Sequence, residues 1–111
     1  MNSLIDESVI EHMKDDLDDE TCNKLIVLFI EETTSLLADL EKAFDVVDLT
    51  TIESVTHILK NSAALYGAVS VATVAKEIND RLSSPSKLIT SEDSQLLALI
   101  KKTLKVYNSR Y

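Results

Sequence analysis

Few side chains in this sequence can do chemistry. There are two histidines, His12 and His57, and one cysteine, Cys22. None of the three lies at a short chelating spacing such as His-x-x-x-His. Cys22 falls on an apolar stripe and reads as core, and His12 reads as a solvated residue near the end of a helix, so no metal site is expected. His57 has different neighbours. In HILKNSAALYGA, residues 57–68, Lys60 follows three positions on, and small residues come after it. On a helix that spacing puts imidazole and ammonium on one face. A solvated imidazole is mostly neutral near pH 7 and can act as a nucleophile without a dedicated base. The ammonium would offset the charge of a phosphoryl group carried on the ring, as a mobile point charge rather than a fixed clamp. A solvated histidine and lysine with no task share the same spacing, so the pair alone is a weak sign.

The elements that must position this pair are helical. Glycine and proline occur once each, as Gly67 and Pro85, too few for sheets joined by tight turns. Apolar residues recur at three- and four-residue spacing along most of the chain. The periodicity predicts a short first helix over about Ile5 to Met13. A long second helix runs from about Asp19 to Phe44, with Cys22, Leu25, Phe29, Leu36 and Leu40 on one stripe. A third covers Thr51 to Gly67, a fourth runs from a Ser70 cap to near Leu82, and a last ends near Asn108. Thr50 with Glu53, and Thr90 with Asp93, read as capping boxes. The serines around Pro85 mark the clearest break. The expected fold is all-α: an antiparallel up-down four-helix bundle with a short extra N-terminal helix, one domain over 1–111.

The third helix can be phased at about 100° per residue with His57 at zero. Val55, Leu59, Ser62 and Tyr66 then fall roughly opposite, with Ile52 close by and Ile58 and Leu65 at the edge of the same arc. That arc must face the core. Glu53, Lys60, Asn61, Ala64 and Ala68 surround His57, which therefore points to water. A solvated face is normally filled with long charged side chains, yet positions 61, 64 and 68 hold Asn, Ala and Ala. Small side chains there leave the ring accessible to another protein surface.

Composition narrows the partners. Eleven Lys+Arg against 19 Asp+Glu give a formal net charge of -8, which disfavours phosphate-mediated binding of nucleic acid and attraction to anionic membranes. No apolar run approaches the roughly 20 residues that span a bilayer. The acidic N-terminus lacks the regions of a signal peptide, and a single cysteine forms no internal disulfide. A cytoplasmic, monomeric protein is expected. One glycine cannot supply a glycine-rich phosphate loop, so no ATP site is expected either.

The stretch from His57 to Ala68 resembles the signature of histidine-containing phosphotransfer (HPt) domains, roughly His-x-Leu-Lys-Gly-Ser-(Ser/Ala)-x-x-(Leu/Phe)-Gly-Ala. His57, Leu59, Lys60, Ser62, Ala63, Gly67 and Ala68 fit it, while Asn61 replaces the usual glycine and Tyr66 a leucine or phenylalanine. Phe29, Leu40, Ala75 and Ile78 fall where that family has apolar core residues. The tail LLALIKKTLKVYNSRY and the non-glycine residue after the lysine are similar to stand-alone quorum-sensing phosphorelay proteins of the LuxU type. The resemblance implies that His57 is phosphorylated through Nε2 by the receiver domain of a hybrid sensor histidine kinase. It then passes the group to the receiver domain of a response regulator. Lys60 would steady the phosphoryl oxygens, and Asn61, Ala64 and Ala68 would form the docking surface with Ile58, Val27 and Ile30 as apolar contacts. Mg²⁺ would belong to the receiver, leaving this chain a carrier without cofactor or kinase activity. A helical adaptor that is never phosphorylated, or a degenerate docking-only HPt module, is the rival reading. The expectation is that binding by such a module survives loss of His57.

Overall fold

The computed structural model describes residues 4–111, and all its regular elements there are helical. They are α1 (Glu7–Asp16), α2 (Asp19–Asp45), α3 (Leu49–Leu65), α4 (Val69–Leu82), a 3₁₀ turn (Ser91–Ser94) and α5 (Gln95–Arg110). Helices α2 to α5 alternate in direction as an antiparallel four-helix bundle, 44 Å long and 24 by 21 Å across, with α1 as the extra N-terminal helix. The α2–α3 and α4–α5 links lie at one end, where Ser83 donates to a Glu53 carboxylate oxygen at 3.3 Å. The α3–α4 link lies at the other, where it meets the N-terminal segment: the Asp6 N–H donates to the Gly67 carbonyl at 2.8 Å. Arg110 pairs with Glu7 at that same end.

Short aspartates start three of the helices, because a carboxylate one position before a helix can take its orphan N–H groups. Asp6 accepts from the Ser8 N–H at 3.0 Å, Asp18 from the Thr21 N–H at 2.7 Å and Asp48 from the Thr51 N–H at 3.2 Å. Hydrogen bonds from Ser8, Thr21 and Thr51 hold these three carboxyls below the ordinary carboxylate value. Asp48 therefore caps α3, and the expected Thr50–Glu53 box does not form. Ser70 is likewise not a cap: α4 begins earlier, at Val69, with Ala68 as its uncapped first neighbour. The Thr90–Asp93 box is present, but it opens the 3₁₀ turn that leads into α5.

The core runs the length of the bundle. Its largest wholly buried side chains include Ile26, Leu40, Ile52, Leu59, Ile78, Leu82, Leu96, Ile100 and Tyr107. Each such aliphatic side chain contributes about 1.5–3 kcal/mol by leaving water. On α2 the buried stripe holds Cys22, Phe29 and Leu40 as expected, but Leu25 and Leu36 are only half-buried. Ile26, Ile30, Thr33 and Leu37 take their place. The stripe is turned because α2 packs against α3 on one side and α5 on the other, so its middle faces the gap between them.

Candidate functional site

Helix α3 carries the candidate site, and its phase is set at both ends. Asp48 fixes the start. Along its length Ile52, Val55, Leu59 and Ala63 bury against α4 and α2, and at the far end Tyr66 stacks on Phe29 with ring centroids 4.8 Å apart. With that arc inside, His57 is exposed, as its position on the helix predicts.

Lys60 is on the same face and half-buried. It is not a free point charge. Its Nζ donates to Asn79 Oδ1 at 3.0 Å, reaching across from α3 to α4. Asn79 is buried to 3% exposure, and its Nδ2 donates to the Glu53 carbonyl at 2.8 Å and to Thr56 Oγ1 at 3.3 Å. Asn79 also lines a shallow depression of about 380 Å³ beside the imidazole, together with Ser54, Ile58 and Ser83. Sequence reasoning passed over this residue. Its signal was an amide in the core phase of the fourth helix, one turn from both Ala75 and Leu82.

Asn61 is exposed, but its amide turns back along its own helix and donates to the His57 carbonyl at 3.1 Å. It therefore lies back over the preceding turn of α3, beside His57. Ala64 is exposed on the His57 face. Ala68 is not: it is 0% exposed. The helix ends at Leu65, so the helical phase no longer applies at position 68, where the chain crosses into α4 and the Ala68 N–H closes onto the Ala63 carbonyl at 2.7 Å.

The apolar candidates divide. Ile58 and Val27 are each 39% exposed and available to a partner. Ile30, expected as a docking contact, is instead buried, because the turned stripe of α2 brings it into the core. Leu65, expected at the edge of the core arc, is 66% exposed, whereas Ala63 in the same turn is wholly buried. Leu65 and Leu28, the latter 58% exposed, are further exposed apolar side chains. Cys22 is buried and unpaired by disulfide. Among the described residues no three or more His, Cys, Asp or Glu side chains are grouped to hold a metal ion.

This arrangement offers one exposed ring nitrogen nucleophile, one ammonium held a turn away, and a mostly small or apolar surround. The Hpt domain family matches residues 24–105. The chain is 32% identical over 114 residues to Multistep phosphorelay regulator 1 of Schizosaccharomyces pombe, a match that takes in 97% of this chain but only 39% of the relative's length. It is 27% identical over 109 residues to Phosphorelay protein LuxU of Vibrio cholerae, covering 97% of this chain and 96% of that protein. The crystal structure of histidine-containing phosphotransfer protein B from Pseudomonas aeruginosa superposes with a TM-score of 0.79 over 100% of this chain and 99% of that one. At 19% identity that likeness bears on the fold.

Proposed function

Because the chain belongs to the Hpt domain family, we propose that it is a histidine phosphotransfer intermediate of two-component signalling and that His57 is the residue that carries the phosphoryl group. The donor is the phosphoaspartate of a receiver domain on a hybrid sensor kinase, and the acceptor is the receiver aspartate of a response regulator. The His57 Nε2 lone pair forms the N–P bond as the P–O bond of the aspartyl phosphate breaks, and the electron pair of that bond leaves on the carboxylate. The ring carries the resulting positive charge until Nδ1 gives its proton to water. The onward step runs in reverse, with the regulator's carboxylate attacking phosphorus. Lys60 offsets charge on the phosphoryl oxygens. Transfer of this kind asks chiefly for positioning and charge neutralisation, and the Mg²⁺ that assists it belongs to the receiver.

The observation that carries this reading is the exposed imidazole of His57 with Lys60 one turn on along the same helix, its ammonium held by Asn79. Ile58 and Ala64, exposed on the same helix as His57, give a small, partly apolar surface that suits a partner that must bind and leave, and Val27, Leu28 and Leu65 are further exposed apolar side chains. The match along 96% of LuxU and the similar tail support a place in a quorum-sensing relay. The acidic composition supports a cytoplasmic one, and no helix among the described residues is long and apolar enough to cross a membrane.

The test is incubation with a receiver domain charged by acetyl phosphate and Mg²⁺. The chain should acquire an acid-labile, base-stable label that His57→Gln abolishes, while ATP and Mg²⁺ alone leave it unlabelled. Label persisting in His57→Gln would move the site elsewhere. Receiver binding without any label would return the chain to the class of adaptors.

A further inference from the structure

We infer that Asn79 is a positioning residue for phosphoryl transfer, fixing the Lys60 ammonium beside His57; the inference rests on the carrier reading above. The network permits one arrangement. The Glu53 carbonyl can only accept, so it must face the Asn79 amide nitrogen. The Thr56 hydroxyl donates to the Ile52 carbonyl at 2.8 Å and lies 3.2 Å from that of Glu53, so toward Asn79 it accepts. With the nitrogen so committed, the amide oxygen points at Lys60, whose ammonium can only donate. A buried amide is costly unless its hydrogen bonds are made, and here they tie the first half of α3 to α4.

The consequence for Lys60 is preorganisation. A lysine stem loses much rotamer freedom when its end is fixed. The contact with Asn79 removes that freedom before any partner arrives, so the loss does not weigh against the transition state. One ammonium hydrogen goes to Asn79 and two remain for phosphoryl oxygens. The choice of an amide is also informative. A carboxylate in the same place would hold the lysine by cancelling its charge, whereas the neutral oxygen of Asn79 does not, and neighbouring Asp80, whose carboxylate also feels Lys60, is paired with Lys76.

The experiment measures transfer from an acetyl-phosphate-charged receiver domain to four forms of the whole chain: unsubstituted, Asn79→Ala, Lys60→Met and the double variant. Asn79→Ala should slow transfer about five- to twentyfold where Lys60 is present, the worth of one charge-assisted hydrogen bond. It should change the rate less than about twofold in the Lys60→Met background, since there is no ammonium left to place. Equal slowing in both backgrounds, or none in either, overturns the inference. Relaxation of the side-chain ¹⁵N of Lys60 in the unsubstituted chain should show a more restricted ammonium than that of exposed Lys102. Equal mobility also overturns it, and this measurement decides the matter should Asn79→Ala fail to fold. No label on the unsubstituted chain overturns the carrier reading and takes the inference with it, whereas label without coupling overturns the inference alone.

Discussion

Val47 and Gly67 occupy the same position in two helix-ending turns of the same hydrogen-bond pattern. After α2, the Asp48 N–H donates to the Ala43 carbonyl at 2.8 Å and the Val47 N–H to that of Phe44 at 3.4 Å. After α3, the Ala68 N–H donates to the Ala63 carbonyl at 2.7 Å and the Gly67 N–H to that of Ala64 at 3.2 Å. This closure puts one residue in the left-handed region, and φ is 53° at Val47 and 87° at Gly67. Glycine adopts that conformation freely, but a β-branched residue is strained in it. Val47→Gly should therefore stabilise the protein by about 0.5–1 kcal/mol, strain relief exceeding the added flexibility of the unfolded chain. Gly67→Ala should cost about 2–3 kcal/mol, since its Cβ would lie 3.0 Å from the Asp6 carbonyl oxygen and 3.3 Å from Val9 Cβ. Urea midpoints check both, and a lower midpoint for Val47→Gly would count against strain at that turn.

Arg81 makes two hydrogen bonds to Asp93, at 2.5 and 2.8 Å, tying the link before α5 to α4. These bonds hold the Asp93 carboxyl below its ordinary value of 3.8, against the opposing effect of burial. A depressed carboxyl stabilises the fold in full above the unfolded value and loses that contribution as pH falls through the folded one. Asp93→Asn should cost about 1–2 kcal/mol at pH 7, and its gap from the unsubstituted chain should narrow as pH drops below 3.8. A gap that stays constant down to pH 2.5 (about one unit below the ordinary carboxylate value) would assign the effect to packing and not to charge.

The Tyr107 hydroxyl donates to the Tyr66 carbonyl at 2.7 Å, pinning the end of α3 to α5. Tyr107→Phe should cost about 1–2 kcal/mol by removing that donor. Burial also pushes the phenol above its ordinary value of 10.0. Its neutral form thus stabilises the fold below pH 10.0 and ceases to as pH climbs through the raised value. Tyr107→Phe should show a shallower fall in stability above pH 10.0, and denaturation curves of matched slope would exclude the phenol as the cause.

Ala64 and Ala68 should respond differently to the same substitution. Ala64→Glu, on the exposed face of α3, should keep the melting temperature and slow transfer from a receiver domain about tenfold or more through the misplaced bulk and charge. Ala68→Glu would bury an unpaired carboxylate and cost about 3 kcal/mol or more. Thermal melts read beside transfer rates check both, and an Ala64→Glu variant that transfers normally would place the receiver elsewhere on the bundle.

Much of this protein is legible in its residues taken in order. Helix period and apolar spacing yield the helices and the outward direction of His57, because both depend on contacts three or four residues apart, and the short links between helices yield the antiparallel bundle. Where the reading fails, a contact distant in sequence or a rival local one is the cause. Asp48 displaces Thr50 as the cap because an aspartate beside the closing turn of α2 reaches the free N–H groups of α3 first. Ala68 leaves the predicted face because the helix stops three residues earlier and the chain turns across Gly67 toward the N-terminal segment. Ile30 and Leu65 exchange environments because each helix is covered by neighbours on particular sides, which its own periodicity does not specify. Lys60 gains its partner from a residue nineteen positions away: local spacing could place the ammonium beside the imidazole, but the packing of α3 on α4 was needed to hold it there.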